Sequence, residues 1–317
     1  LVMRLLARIE GRLGARLSPA ALFQARTVER LATAVRLQAG PEPGSPLVTL
    51  QPGGGEGRPF FWIHPGAGSV FCYVPLARRL GGERPVFGLQ ARGIYGPEAP
   101  LDDIEAMAAL YLGAVRQVQP QGPYLLGGWS LGGVVAFEMA RQLAAQGEAV
   151  DLLALVDSVL PETGTEDVHD DPLSDLAAFA RDLGLPLDHP VLRSAELASP
   201  SAEEILTRLH EPLLRAGLLP PDLGAADLLS RFEIFRSHAR ALRRYRPAAP
   251  WPGRIALFLA AERPADGAAS AARRWREMAN GGLDLFALPG DHYAAVREPA
   301  AELLARSINE LLLRNEA

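Results

Sequence analysis

The sequence predicts an α/β fold in which helices flank a mostly parallel β-sheet. From Leu47 onward, short apolar segments of strand length alternate with longer segments whose apolar residues follow helical spacing. Most of the short segments are apolar throughout, which is typical of parallel strands buried on both faces. Hydrophobic residues make up 48% of the 317 residues, enough for a sizeable core. These observations together favour a sheet covered by helices.

The expected strands and helices alternate along the chain. The first two strands, Leu47–Gln51 and Phe60–Ile63, flank the loop Gly53–Arg58, and this spacing predicts a β-hairpin. The other predicted strands are Val86–Leu89, Tyr124–Leu126, Leu152–Val156, Ile255–Leu259 and Leu283–Leu288. The predicted helices cover about Val70–Leu80, Asp103–Val118, Val134–Gln146 and Pro299–Leu313, and Gly127–Ser130 is predicted to be a turn.

The alternation of strands and helices stops between Leu160 and Ser230, where helical patterns take over. Apolar residues at helical spacing from Leu173 to Leu183 predict one amphipathic helix. Ser201 and Glu204 have the spacing of a capping box at the start of another. A helical insertion after a strand is typical of a lid over an active site, with a purely structural insertion as the alternative. We therefore predict a lid at about residues 160–230.

Residues 1–38 form a separate helical segment by their pattern of apolar residues. Residues 39–46 are rich in proline and glycine, which predicts an interdomain linker. The main domain is then expected to cover residues 47–317. Because Leu1 stands within a helical pattern, we expect the chain to be a fragment of a longer protein.

Composition and charge argue against several classes of function. The net charge is −5 and the basic residues are dispersed, so no basic face for nucleic acid is expected. Cys72 is the sole cysteine, which excludes an internal disulfide and a thiolate metal cluster and is compatible with a cytoplasmic location. No apolar stretch is long enough to predict a transmembrane helix.

Residues Gly128–Gly132 read Gly-Trp-Ser-Leu-Gly and match G-x-S-x-G, the nucleophile elbow of α/β-hydrolases. The five-residue pattern alone is weak in a glycine-rich chain, but here an apolar strand precedes it and a helix follows. An abrupt turn from strand to helix strains the backbone of Ser130, and glycines on both sides, with Gly133 after them, remove clashes. The pattern predicts Ser130 as an exposed nucleophile at a helix N-terminus; the alternative is a tight turn with an incidental serine.

A serine nucleophile needs a general base, and His292 is the candidate. Among the six histidines it alone follows the last predicted strand closely, and the order Ser, acid, His is that of α/β-hydrolases. His64 is expected to shape the loop after Phe60–Ile63. The other four are expected to be surface or packing residues: His169, His189, His210 and His238.

The acid that orients the base is either Asp157 or Glu262. Asp157 ends the apolar strand Leu152–Val156, where an ionised carboxylate would be partly buried and would need a partner such as His292. Glu262 follows the next strand in a polar run, with Arg263 beside it. This contrast favours Asp157.

The tetrahedral intermediate needs two preorganised N–H donors. One is expected to be the amide of Leu131, which directly follows the nucleophile. The other is expected in the glycine-containing loop after Phe60–Ile63, where we favour Ala67 and Gly66 is the alternative.

With these residues in place, residues 47–317 resemble the type I thioesterase domains that end nonribosomal peptide synthetases and polyketide synthases. The resemblance rests on five motifs spread over the domain: Phe61–Gly68, Gly127–Gly133, Leu155–Ser158, Tyr245–Pro247 and Pro289–Tyr293. In that family the acid follows the strand after the nucleophile helix, which also supports Asp157, and a helical lid occupies the place of residues 160–230.

Residues 1–38 resemble the second half of a peptidyl or acyl carrier domain. The segment Leu1–Leu5 is similar to the helix that follows the phosphopantetheine-bearing serine, and Ala21–Val28 to the last helices. That serine would lie just upstream of Leu1. Arg26 replaces the proline usual at its position, a small departure from the family pattern.

The resemblance implies a thioesterase that releases an acyl or peptidyl chain from an upstream carrier through an acyl-Ser130 intermediate, in natural-product biosynthesis. Phosphopantetheine is implied on the carrier, and no cofactor or metal in the thioesterase domain. Water would release a linear acid, whereas an internal amine or hydroxyl of the bound chain would give a macrocycle. Two other readings are a free-standing serine esterase or lipase and a catalytically inactive docking module.

Overall fold

The computed structural model describes residues 45–94, 98–161, 172–185, 201–219 and 223–316, together with single positions before residue 45. Its strands, numbered along the chain, are β1 (Leu47–Gln51), β2 (Phe60–Ile63), β3 (Val86–Leu89), β4 (Tyr124–Trp129), β5 (Val150–Val156), β6 (Ile255–Ala260) and β7 (Leu283–Leu288). They form a seven-stranded sheet in the order β1-β3-β2-β4-β5-β6-β7, with β1 antiparallel and the other pairings parallel. The predicted α/β fold with a mostly parallel sheet is therefore confirmed.

Helices lie between and after these strands along the chain. They are α1 (Val74–Arg79), α2 (Ile104–Val118), α3 (Leu131–Ala145), α4 (Pro172–Asp182), α5 (Ala202–Arg215), α6 (Ala225–Arg244), α7 (Ala265–Glu277) and α8 (Ala300–Glu316), with a short 3₁₀ turn at Phe71–Tyr73 ahead of α1. The segment Gly127–Ser130, predicted as a turn, instead continues β4 to Trp129, and α3 begins at Leu131. The reversal from strand to helix therefore takes a single residue.

The predicted hairpin between the first two strands is wrong, because β1 pairs with β3 and not with β2. Strand β2 is buried along its whole length and has a parallel neighbour on each side, β3 and β4. The glycine-rich loop after β1 bonds instead to the segment before β3, where Gly54 N–H donates to Gly82 O at 2.6 Å. The fully apolar β2 thus lies inside the sheet, where a parallel strand is expected.

Strand β4 and helix α3 form the centre of the core. Every residue of β4 is buried, and the first ten residues of α3 are buried as well. The one acidic residue among them, Glu138, accepts hydrogen bonds from Tyr245 Oη at 2.7 Å and from Arg141 at 2.8 Å. The elbow therefore joins two elements that are buried where they meet.

Helices α4, α5 and α6 occupy the described part of the chain between β5 and β6, as the prediction of a helical insertion requires. The capping-box spacing is confirmed at α5, because Ser201 Oγ accepts a hydrogen bond from Glu204 N–H at 3.2 Å. Apolar side chains from the three helices form a separate cluster that includes Phe179, Leu209 and Phe232. The function of residues 160–230 as a lid stays a prediction.

Most of the predicted helical segment 1–38 and of the linker 39–46 lies outside the described residues. At the described positions, Leu6, Ile9 and Leu17 are buried and form a small apolar cluster. The chain divides into two compact units, one of Pro46–Asp170 and Ser237–Ala317, the other of Leu1–Ser45 and Asp171–Arg236. Among the described helices, none combines the length and the apolarity needed to cross a bilayer.

The glycines of the elbow allow its close packing. A Cβ on Gly128, in β4, would overlap the backbone of Gly132, near the start of α3. A Cβ on Gly132 would overlap Ile63 O at the end of β2. A Cβ on Gly133 would overlap Ser158 Oγ beyond the end of β5. Three glycines thus let β2, β4 and β5 meet the start of α3 at distances that no other residue permits.

This packing makes a testable prediction for Gly133→Ala. The added methyl group must displace the buried Ser158, so we expect a loss of about 2–3 kcal/mol in the free energy of unfolding, measured by urea denaturation. The matched control is Gly113→Ala in α2, where an added Cβ has no neighbour within 4 Å. That change removes a helical glycine and should stabilise the domain by about 0.5–1 kcal/mol; equal effects of the two substitutions would contradict the packing argument.

Candidate active site

Ser130 lies between β4 and α3 in a strained backbone conformation. Its φ is 58° and its ψ −123°, and Asp157 is the only other non-glycine residue with a positive φ among those described, at 43°. Such conformations cost on the order of 1–3 kcal/mol and persist where the surroundings impose them, often at functional sites. The two strained residues are the predicted nucleophile and the predicted acid.

His292 and Asp157 are in direct contact. His292 Nδ1 lies 2.6 Å from Asp157 Oδ2, with the carboxylate fully buried and the imidazole about a quarter exposed. Because an ionised carboxylate only accepts hydrogen bonds, Nδ1 carries a proton, and in the neutral form of the ring Nε2 is then unprotonated. This tautomer is the one that a general base acting on serine requires.

Trp129 places His292 beside the elbow. Its indole N–H donates to the backbone carbonyl of His292 at 3.1 Å, and the two rings lie 5.1 Å apart between centroids. Asp291, which precedes the histidine, accepts hydrogen bonds from the N–H groups of Tyr293 and Ala294 and so caps this turn. His292 is therefore fixed against the residue that immediately precedes Ser130.

Asp157 has further donors that hold its charge. Arg263 binds it with two hydrogen bonds, from Nε to Oδ1 at 3.1 Å and from a terminal nitrogen to Oδ2 at 2.7 Å. Ala260 N–H donates to Oδ1 at 3.0 Å. Burial by itself raises the pKa of Asp157, but the hydrogen bonds from His292, Arg263 and Ala260 outweigh it and hold the pKa well below its usual range.

Glu262, the alternative acid, is exposed at the end of β6. Its backbone N–H donates to Gly290 O at 3.1 Å, which ties the loops after β6 and β7 together. In the sequence Arg263 stands beside Glu262, and its contact with Asp157 was not predicted. An arginine just beyond the end of a strand does indicate an ion pair near the site. The sequence alone does not show which carboxylate Arg263 binds.

The two expected oxyanion donors lie on segments that pack together. Leu131 is the first residue of α3, where a backbone N–H has no partner within the helix. The second segment is the loop after β2, in which Gly68 N–H donates to Pro65 O at 2.9 Å and closes a turn around Ala67. Gly132 packs directly against the backbone of Ile63 and His64, which brings this loop to the start of α3.

Two buried histidines support the same loop. His64 Nδ1 lies 2.8 Å from Pro65 O, and His238 Nδ1, from α6, lies 2.7 Å from Gly66 O. A carbonyl only accepts, so both Nδ1 atoms carry protons, and His64 Nε2 accepts from Tyr111 Oη at 2.6 Å. The two imidazoles stack with centroids 4.7 Å apart.

Burial keeps both rings neutral. It lowers the pKa of His238 to about 4. Burial, and then the nearby His238, hold the pKa of His64 well below its ordinary value. The expectation that His64 shapes this loop agrees with these contacts, whereas His238, expected only to be a packing or surface residue, contacts the loop across 172 residues of sequence. Among the described residues, no cluster of potential ligands suited to a metal ion occurs.

Comparison with known proteins points to one family. A family model described as "Thioesterase domain" matches residues 58–312, and a model described as "Phosphopantetheine attachment site" matches residues 1–35. A dimodular nonribosomal peptide synthase from Bacillus subtilis (strain 168) is 42% identical over 159 residues, which are 50% of this chain and 7% of that protein. The chain thus spans a small fraction of this curated relative.

Solved structures agree with the sequence comparison. A four-domain nonribosomal peptide synthetase bound to AMP and glycine aligns with a TM-score of 0.75 and 31% identity, over 98% of this chain and 23% of that one. The NocB thioesterase domain, in covalent complex with a fluorophosphonate nocardicin G analogue, aligns with a TM-score of 0.60 and 26% identity, over 84% of this chain and all of that one.

The buried histidines predict how stability depends on pH. Because the pKa of His238 is lower in the folded state than in the unfolded state, its contribution is fully present above about pH 6.5 and is lost as the pH falls towards 4. Between pH 7 and 5 this residue should account for a decrease of about 2 kcal/mol in the free energy of unfolding. Urea denaturation at both pH values should show a smaller decrease in His238→Asn than in the wild type. Parallel pH dependences in the two proteins would contradict a buried neutral His238.

Proposed function

The chain belongs to the thioesterase domain family, and we propose that it releases an acyl or peptidyl chain from a phosphopantetheine carrier through an acyl-Ser130 intermediate. The observation that carries this proposal is the 2.6 Å hydrogen bond between His292 and the buried Asp157, next to a strained serine at a helix N-terminus. A neutral imidazole with its proton on Nδ1 is ready to accept the serine proton on Nε2.

The first half of the reaction is acylation of the enzyme. Ser130 Oγ attacks the thioester carbonyl while His292 Nε2 takes the hydroxyl proton, and Asp157 stabilises the resulting imidazolium. The amides of Leu131 and Ala67 hold the negative oxygen of the tetrahedral intermediate. When the intermediate collapses, the carbon–sulfur bond breaks, and the carrier thiol leaves with the proton from His292.

The second half resolves the acyl-Ser130 ester. His292 accepts a proton from the incoming nucleophile, which attacks the ester carbonyl, and Ser130 leaves as the free hydroxyl. Water as the nucleophile gives a linear acid, and an amine or hydroxyl of the bound chain gives a macrocycle. Exclusion of water by the predicted lid, residues 160–230, would favour the second outcome.

A carrier domain is the proposed partner in the first half-reaction. The support is the match of residues 1–35 to the phosphopantetheine attachment model, directly ahead of the thioesterase match. A thioester on a phosphopantetheine arm then reaches Ser130 from a neighbouring domain. The relatives that contain nonribosomal peptide synthetase modules agree with this arrangement.

The nucleophile assignment predicts that Ser130→Ala abolishes turnover. With octanoyl-N-acetylcysteamine as the substrate, we expect a decrease of at least about 10⁴-fold in kcat, since removal of a serine nucleophile costs about that much or more. Intact-protein mass spectrometry should detect an octanoyl adduct on the wild type and none on Ser130→Ala.

The control for this experiment is Ser307→Ala in α8, which should acylate as the wild type does. An adduct on Ser130→Ala would contradict the assignment. A wild type that neither acylates nor turns over would favour the inactive docking module, and a preference for octanoyl oxoesters over the thioester would favour a free-standing esterase.

The acid assignment predicts unequal effects of two amide substitutions. Asp157→Asn should reduce kcat by about 10³–10⁴-fold, because an amide N–H₂ facing Nδ1 favours the wrong tautomer of His292. Glu262→Gln, which alters an exposed carboxylate, should change kcat less than twofold. Steady-state kinetics of both variants, with circular dichroism to establish that each is folded, makes the comparison. The opposite order would assign the acid to Glu262.

A further inference from the structure

His238 contacts the same peptide unit that carries a proposed oxyanion donor. The carbonyl of Gly66 and the N–H of Ala67 belong to one planar trans peptide, so they point in opposite directions. His238 Nδ1–H binds this carbonyl at 2.7 Å. A hydrogen bond that fixes the oxygen end of a rigid plane also fixes the direction of the N–H at its other end.

We propose that His238 is a positioning residue for the oxyanion hole, which aims the Ala67 N–H by holding the Gly66 carbonyl. This inference rests on the proposed function, because it assigns to Ala67 the role of oxyanion donor. His238 lies in α6, 171 positions further along the chain than Ala67. The proposal adds it to the groups that determine the rate of acylation.

The surroundings of His238 suit this role. His238 is 1% exposed, so the donor of this hydrogen bond is shielded from water. The ring of His64 stacks against the ring of His238. His64 accepts a hydrogen bond from Tyr111 Oη and donates one to Pro65 O, the carbonyl that precedes that of Gly66. Two successive carbonyls of the loop are therefore held by two rings that support each other, and the peptide between them has little freedom to rotate.

The hydrogen bond also strengthens the donor. A donor on the carbonyl oxygen polarises the peptide group, which makes its N–H a better hydrogen-bond donor. A neutral imidazole achieves this without adding a charge beside the reacting carbonyl. Preorganised donors of this kind stabilise the transition state because they need no reorientation as charge develops.

The test compares two substitutions at residue 238. His238→Leu keeps an apolar side chain of similar bulk but removes the donor, so the Gly66–Ala67 peptide can rotate. With octanoyl-N-acetylcysteamine, we expect kcat to fall by roughly 10–100-fold, less than the loss of a whole oxyanion donor, with KM changed less than threefold. His238→Asn places an amide N–H₂ at the position of Nδ1, and should restore kcat to within about fivefold of the wild type.

The matched control is Tyr245→Phe, just beyond α6. It removes one buried hydrogen bond, from Tyr245 Oη to Glu138 at 2.7 Å, without contact to the loop after β2. If loss of any buried hydrogen bond near α6 slowed the enzyme, this variant would be slowed as much as His238→Leu. We expect it to keep the wild-type kcat within about twofold.

A second measurement separates positioning from a structural effect. An alkylboronic acid forms a tetrahedral adduct with the serine and places an oxygen in the oxyanion hole, whereas the thioether analogue of the substrate occupies the site without such an oxygen. In His238→Leu the inhibition constant of octylboronic acid should rise by the factor by which kcat/KM falls, while the dissociation constant of octyl-N-acetylcysteamine thioether stays within about twofold.

The outcomes distinguish this inference from the proposed function. If the wild type forms the acyl adduct and His238→Leu matches it in kcat and in boronic acid inhibition, the positioning role is wrong and the thioesterase mechanism stands. Equal weakening of the boronic acid and the thioether would show a structural defect and would also overturn the positioning role. If the wild type itself forms no adduct, the proposed function fails and this inference fails with it.

Discussion

The buried carboxylate of Asp157 is the interaction on which the rest of the site depends. An ionised group inside a protein is stable only when hydrogen-bond donors and a counter-charge replace the water that it has lost. Asp157 obtains them from a β6 amide, from Arg263 just beyond β6 and from His292 beyond β7. The hydrogen bonds to this one carboxylate therefore bring the end of β6, the segment after β6 and the loop after β7 together.

The two halves of the site are built on different physical principles. On the proposed acid–base side, Asp157 binds Arg263 and His292 directly, and in the proposed mechanism His292 gains and loses a proton during each half-reaction. On the proposed oxyanion side, backbone amides are the donors, and the groups behind them, His64 and His238, are buried and neutral. Neutral support suits a site that must present the same donors at every step, and an imidazole kept neutral by burial supplies a strong donor without a second titrating charge.

The sequence predicted the features that depend on neighbours along the chain and missed those that depend on distant contacts. Strand positions followed from apolar runs, and Asp157 could be favoured over Glu262 because a carboxylate at the end of such a run needs a partner. The predicted hairpin was wrong because strand pairing depends on which edges remain open in the sheet. Arg263 and His238 were missed for the same reason, since only the folded chain shows which carboxylate and which carbonyl they reach.

The register of the sheet explains why the two strained residues are neighbours. Trp129 pairs with Val156, so β4 and β5 end level with each other, and Val156 pairs with Phe258 in β6, which continues to Ala260. Ser130 N–H then donates to Val156 O at 2.9 Å, and Asp157 N–H to Phe258 O at 2.7 Å, each continuing the ladder by one bond beyond the strand. At both residues the backbone leaves the strand direction within one residue, and both have a positive φ. A shift of one residue between β4 and β5 would place Trp129 or Leu131, instead of Ser130, beside Asp157. The strain at Ser130 and Asp157 is thus a consequence of the register that brings them together.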